Sequence, residues 1–269
     1  MGTSSAFAIT WGTEDEFDDY SNVCMMGMSF EGTPLGVCSG VLIHERVVLT
    51  AGHCIEYVGS LEQIFGPGNI DVEVLFGFDL SYPGVGPGDG LEVEDYFAHP
   101  DYYWGPQSNP YDIGVLILAE PVDFNEWGID DLAVLPPQGL LDELKADKVL
   151  SRGSNKEKFT VVGYGGTLDW PPPVINYYYR RQYAESEYRA LLKAWLKLSQ
   201  NQATGDGGSC FGDSGGPVFW TNNSGDDILV AITSWGDPNC ISPSFNYRID
   251  TQKTLEFINS VLSSIDAMD

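Results

Sequence analysis

Three polar residues, far apart in the chain, have the side-chain types that nucleophilic acyl transfer requires. Ser214 lies in the run Gly212-Asp213-Ser214-Gly215-Gly216-Pro217. Small residues on both sides let the backbone bend tightly and approach a substrate, and they leave the amide hydrogens of Gly212 and Ser214 free to point at one spot, which suits a negatively charged oxygen. A serine hydroxyl is a poor nucleophile by itself, so it needs a base and a carboxylate that orients the base. The chain has 3 histidines, and one lies in Leu49-Thr50-Ala51-Gly52-His53-Cys54. Asp112 opens the apolar run Asp112-Ile113-Gly114-Val115-Leu116-Ile117-Leu118, which reads as a buried strand. Such long intervals between the three residues mean that only a tertiary fold can bring them together.

In their order of His, Asp, Ser, these motifs resemble the trypsin/chymotrypsin family of serine endopeptidases, in a secreted form of bacterial type. The segment His99-Pro100-Asp101-Tyr102, the strand Phe159 to Gly165 with Tyr164 where the family has Trp, and Ser234-Trp235-Gly236 extend the resemblance over most of residues 23–250. It implies an all-β protein of two antiparallel Greek-key β-barrels with a C-terminal α-helix. Residues 9–130 would form the N-terminal barrel with His53 and Asp112, and residues 131–269 the C-terminal barrel with Ser214 and the helix.

The resemblance also implies roles. Ser214 is the nucleophile, His53 the general base, Asp112 the group that holds the imidazole, and the Gly212 and Ser214 amides form the oxyanion hole. Cys38 pairs with Cys54 and Cys210 with Cys240, which points to an oxidising, extracellular compartment and leaves Cys24 as a free thiol. Gly208, six residues before Ser214, sits at the base of the primary pocket beside Ser209, Gly236 and Ser244, while Ser234-Trp235-Gly236 pairs with substrate as an added strand. An uncharged pocket implies cleavage after apolar or aromatic residues; Asp206 or Asp237 near the pocket would restore a basic preference. Ile9-Thr10-Trp11-Gly12 resembles the family's mature N-terminus, whose ammonium pairs with the aspartate at Asp213. On the other reading Ile9 only starts an edge strand. Ala6-Phe7-Ala8 ahead of it has the small-x-small form of a signal-peptidase site. A non-catalytic homologue that uses the same scaffold for binding, or a locked precursor, is the alternative from a different class.

The elements that must position these residues read as β. The chain of 269 residues is 43% hydrophobic and 13% aromatic, with 31 Gly and 16 Pro between short apolar runs, as in an all-β fold. Strands are expected over Gly36 to Ile43 and Val47 to Thr50, over residues 70–80, over Phe159 to Gly165 and over Ile228 to Ile232. Tyr82 to Gly90 reads as a surface loop whose acidic flanks are either solvated or a calcium site, and Asp169 to Pro173 as a loop near the cleft. Tyr177-Tyr178-Tyr179-Arg180-Arg181 reads either as substrate contacts or as a strand end packed on the barrel. Leu255, Ile258, Leu262 and Ile265 recur at helical spacing and are expected to pack a C-terminal helix on the second barrel. No run is long enough to span a membrane. With 39 Asp+Glu against 13 Lys+Arg, a net charge of -26 repels nucleic acid and anionic membranes. A monomer acting on protein or peptide, without cofactor or metal, is expected.

Overall fold

In the computed structural model, the described residues are 9–81, 87–103, 108–152, 156–169 and 174–267. Residues 1–8, with the Ala6-Phe7-Ala8 pattern, most of the Tyr82 to Gly90 loop and residues 170–173 lie outside them. After β1 (Thr13–Glu14), six antiparallel strands close a first barrel: β2 (Val23–Phe30), β3 (Thr33–His44), β4 (Val47–Thr50), β5 (Asp71–Leu75), β6 (Leu91–Ala98) and β7 (Gly114–Leu118), in the order β2-β3-β4-β7-β6-β5. Helix α1 (Gly52–Phe65) leaves β4, and α2 (Phe124–Trp127) and α3 (Leu140–Ala146) lie in the crossover. The second half contains β8 (Lys158–Gly163), the hairpin β9 (Gly166–Asp169) and β10 (Val174–Tyr177), then β11 (Gln182–Leu191), β12 (Trp195–Leu198), β13 (Pro217–Thr221), β14 (Asp227–Trp235) and β15 (Ser244–Arg248), before α4 (Gln252–Asp266). Here β8 also pairs with β11, so that β11-β12-β15-β14-β13-β8 is a second closed six-stranded barrel, with β1 added beside β11. Closure gives each barrel strand a partner on both sides. The fold is the chymotrypsin-like one that the resemblance implied.

Register in the first barrel explains why His53 and Asp112 meet. β4 and β7 are antiparallel neighbours, and Thr50 pairs with Gly114. Three residues beyond Thr50 and two before Gly114 therefore emerge at the same end of the barrel. Every residue of both strands is buried, among them Val47, Val48, Leu49, Val115, Leu116 and Leu118 at 0% exposure, so this register is fixed by the core.

Two elements differ from expectation. α1 is a 14-residue helix over a stretch to which the sequence assigned no element; it buries Cys54, Ile55, Val58 and Leu61 on one face and stops at Gly66, where φ is 100°. Helix α4 packs mainly on the first barrel, where the second was expected, while Thr254 in its first turn bonds Tyr247 Oη and Arg248 O of the second. Its Phe257 ring meets Phe97 and His99, His44 Nε2 lies 3.4 Å from Asp266 Oδ1, and Val261 and Ile265 line a cavity with Phe97 and Ile117. The physical reason is that Phe97 and Ile117 give the outside of the first barrel an apolar face, which adjacency along the chain does not reveal.

Among the described residues no three or more His, Cys, Asp or Glu side chains converge to hold a metal. Glu73 instead accepts hydrogen bonds from the amides of Gly88 and Gly90 at the end of the acidic loop. Arg180 pairs with Glu14 and Asp79, while Arg181 is wholly buried and joins the halves. Its Nε donates to Asp15 Oδ2 at 2.7 Å, its Nη2 to Asp18, and its Nη1 to Val23 O and Tyr164 Oη. This basic run thus packs on the barrel.

Removing Arg181 would leave the Asp15 carboxylate buried without its cation. Arg181→Ala is expected to cost about 3–5 kcal/mol in urea unfolding. Arg180→Ala, at a half-exposed pair, should stay within about 1 kcal/mol of the parent.

Candidate active site

The Asp112 carboxylate organises the loops at the end of β4 and β7. It is buried, accepts the His53 backbone amide at 2.9 Å through Oδ1, and faces His53 Nδ1 at 2.9 Å through Oδ2. Ser234 Oγ, at the end of β14 in the other barrel, donates to the same Oδ2. Burial alone would push Asp112 up, but the facing imidazole, its hydrogen bonds and the Ser234 hydroxyl hold the carboxyl below its ordinary value. An ionised Asp112 accepts only, so in this contact His53 Nδ1 is the donor.

The Ser214 turn reaches this pair from the second barrel. Ser39 N–H, on β3, donates to Ser214 O at 2.8 Å, and Cys54 Sγ lies 3.7 Å from the same oxygen. The serine therefore sits beside the residue that follows His53. Ser39 Oγ donates to Gly212 O at 3.0 Å and accepts the Tyr164 amide at 3.0 Å, so one buried side chain joins the turn, β3 and the end of β8. Glycine is required at two points. Gly212 has φ +96°, and a Cβ on Gly215 would fall 2.1 Å from Thr50 Oγ1 and 2.4 Å from Ser39 O. Among the described residues, neither the Gly212 nor the Ser214 amide donates a hydrogen bond within the protein. Both remain available to an oxyanion.

Disulfides brace both sides of the cleft, Cys38 to Cys54 and Cys210 to Cys240, and Cys24 is a buried free thiol. In the chain-entropy model each bridge stabilises the fold by roughly 3 kcal/mol.

Beneath the turn, Asp213 is fully buried. Its Oδ1 accepts the Gly165 amide at 2.7 Å and its Oδ2 the Cys210 amide at 2.8 Å. Burial pushes this carboxyl up to about 8, against the opposing pull of the two amides. No ion pair to it is present among the described residues. Ile9 is buried in the core of the second barrel, and Thr10 pairs with Gly208 through two backbone hydrogen bonds of 3.0 Å.

The four pocket residues expected from the sequence surround a fifth that was not among them, Gln200. Its Nε2 donates to Ser209 O, a Cβ on Gly208 would fall 2.5 Å from its Cγ, and a Cβ on Gly236 would fall 3.7 Å from its Oε1 and 3.6 Å from Ser244 Cα. At the rim, Trp235 stacks on Phe245 with ring centroids 3.8 Å apart. Asp206 is buried and holds Thr204 Oγ1 and the Glu187 amide, while Asp237 Oδ2 accepts the Asn239 and Ile241 amides. Both carboxylates are engaged by loop and strand groups. Sequence spacing offered no sign of Gln200, because it follows β12 at a point where only the fold shows which way a side chain faces.

A family model described as Trypsin matches residues 11–258. Inactive CLIP domain-containing serine protease A28 of Anopheles gambiae is 29% identical over 205 residues, which are 74% of this chain and 49% of that protein. Phenoloxidase-activating enzyme 1 of Spodoptera litura is 24% identical over 237 residues, 84% of this chain and 59% of that one. Chymotrypsin-like elastase family member 1 of Homo sapiens is 25% identical over 268 residues, 95% of this chain and 93% of that one. The chain thus spans about half the length of the first two relatives. All three are animal proteins, where the sequence had pointed to a bacterial type.

Because the folded state raises Asp213 above its ordinary 3.8, it holds that proton more tightly than the unfolded chain does. The resulting stability is complete below that value and is lost as pH rises through about 8. Relative to Asp213→Asn, which does not titrate, the chain with residues 1–8 attached should lose stability between about pH 4 and pH 8 in urea melts. A pH-independent difference between the two proteins would contradict this.

Proposed function

The chain belongs to the trypsin family of serine proteases, and from that premise we propose that it is a secreted serine endopeptidase acting through Ser214, His53 and Asp112. The observation that carries the reading is the Asp112 carboxylate held between His53 and Ser234, with the Ser214 turn against Cys54 and two unengaged amides beside it. Ser214 Oγ adds to the carbonyl carbon of the scissile bond while its proton passes to His53 Nε2. The Gly212 and Ser214 amides receive the oxyanion, a kind of contact worth ~10²–10³ in rate per donor. As the tetrahedral species collapses, the C–N bond breaks and His53 returns its proton to the leaving amine. Water then adds to the acyl-enzyme with the same base, and Ser214 is regenerated.

Asp112 keeps the imidazole in the productive tautomer and stabilises the imidazolium. The backbone of Ser234-Trp235-Gly236 serves as the edge on which an extended peptide adds as a strand. An uncharged floor at Gly208, with Asp206 and Asp237 both engaged elsewhere, supports cleavage after uncharged residues, aromatic ones among them, over basic ones. Two disulfides, and a structure in which no helix among the described residues is long and apolar enough to cross a membrane, agree with secretion.

Regulation by the N-terminus is part of the same reading. Buried Ile9, paired through Thr10 to Gly208, leads toward the turn that holds Asp213. Removal of residues 1–8 would free an ammonium at Ile9 that could neutralise the buried Asp213 carboxylate and lower its pKa. A second reading is favoured by the mosquito relative, which is described as inactive: the scaffold binds without cutting. In this chain Ser214, His53 and Asp112 are all present.

A fluorophosphonate probe separates the two readings. Protein trimmed to Ile9 is expected to gain one adduct mass, mapped to Ser214 and lost in Ser214→Ala, and Asp112→Asn should cut kcat by about 10⁴. Absence of labelling on the trimmed chain would favour the binding scaffold. Labelling at the same rate with residues 1–8 attached would refute the Asp213 switch.

A further inference from the structure

Gln200 has a feature that packing does not explain. It continues the inward alternation of Leu196 and Leu198, both buried in the second core, at a place where another apolar residue would complete the barrel. The chain has a primary amide there instead. The residue is 1% exposed, and among the described residues its Oε1 has no hydrogen-bond partner. Its orientation is fixed, because Nε2 donates to Ser209 O and turning the amide over would set two carbonyl oxygens against each other. Oε1 is thus the atom held toward Gly236 and Ser244.

Two neighbouring strands repeat the pattern. Thr233 and Asn246 are directly paired on β14 and β15, so their side chains share a face. Both are buried, and Thr233 Oγ1 and Asn246 Oδ1 also lack partners. Asn246 Nδ2 donates to Leu196 O and Ser244 Oγ, which ties it to the strand that leads to Gln200 and to a residue packed against Gly236. Buried polar atoms are nearly always hydrogen-bonded in folded proteins. Two orphan carbonyl oxygens and a hydroxyl on connected strands of one barrel point to a ligand that brings a donor.

Resting on the endopeptidase reading, we propose that Gln200 sets the primary specificity: its Oε1 accepts a hydrogen bond from an uncharged P1 side chain, the residue before the scissile bond, that ends in a donor, as glutamine and tyrosine do. Gln200 itself fills the space beside Gly208, while a Cβ on Gly236 would meet no heavy atom nearer than 3.6 Å, so the side chain would approach Oε1 past Gly236. A lysine or arginine at P1 would bury a cation against amide oxygens with no carboxylate to pair it, since Asp206 and Asp237 are engaged elsewhere. Phenylalanine or methionine would fill the space yet leave the acceptor unmatched. A site built around a hydrogen bond rejects the isostere that lacks the donor more strongly than a hydrophobic pocket rejects a change of size.

The test measures binding rather than turnover, so that it stands apart from the catalytic question. The Ser214→Ala protein is titrated calorimetrically with peptides that differ only at P1, in the pairs tyrosine and phenylalanine, and glutamine and methionine, with a lysine peptide as a fifth. Tyrosine and glutamine are expected to bind roughly tenfold or more tightly than their partners and than lysine. In Gln200→Met on the same background both preferences should vanish. Equal affinities within each pair, or tightest binding of the lysine peptide, would overturn the proposal even if that variant did not fold. Labelling of the parent chain at Ser214 decides the endopeptidase reading separately, and neither result determines the other.

Discussion

The contact on which the rest of the site depends is the approach of the Gly212 to Gly216 turn to β3 and β4. At Gly215 the two barrels are so close that no side chain fits between the turn and Thr50. Ser39 secures the approach from the other side through its amide, hydroxyl and carbonyl, which bond Ser214 O, Gly212 O and Thr50 Oγ1. Because the turn is held by its carbonyls, its amides at Gly212 and Ser214 are left pointing away from the protein's own acceptors. The same constraint that fixes the serine therefore also leaves these two amides unengaged among the described residues.

Three buried aspartates stand in different electrostatic settings in this strongly acidic chain. Asp15 faces the buried Arg181 guanidinium across the seam between N-terminal segment and barrels. Asp112 is held low by an imidazole and a hydroxyl drawn from separate barrels, so its charge also reports that the barrels are docked. Asp213 is met, among the described residues, by two backbone amides, which do not offset its burial. The first arrangement is a buried ion pair, the second holds an imidazole in place, and the third leaves a carboxyl whose charge depends on what reaches it.

Much of this was legible in the sequence, for physical reasons that differ by element. Glycines that admit no Cβ, a histidine after a buried strand and an aspartate before one are local necessities, so Ser214, His53 and Asp112 stood out at once. An all-β fold was legible because turn residues recur between short apolar runs, whereas its division into two barrels came from the family resemblance. Helix α1 escaped notice although Ile55, Val58 and Leu61 have helical spacing, since turn-rich segments on either side dominate the pattern there. The seat of α4 was misjudged because helical periodicity shows that a face is buried and not what buries it. Ser39 and Gln200 carry no local signal at all. One is a serine in a strand and the other a glutamine after one, and only the closing of the barrels turns them toward the turn and the pocket.

The most direct measurement is a crystal structure of the protein phosphonylated by a fluorophosphonate. The phosphorus is expected on Ser214 Oγ and the phosphoryl oxygen at about 2.7–3.1 Å from both the Gly212 and Ser214 amides, with His53 Nδ1 still on Asp112. A phosphoryl oxygen turned to solvent, or a Gly212 peptide flipped so that its amide faces away, would contradict a turn preset for catalysis.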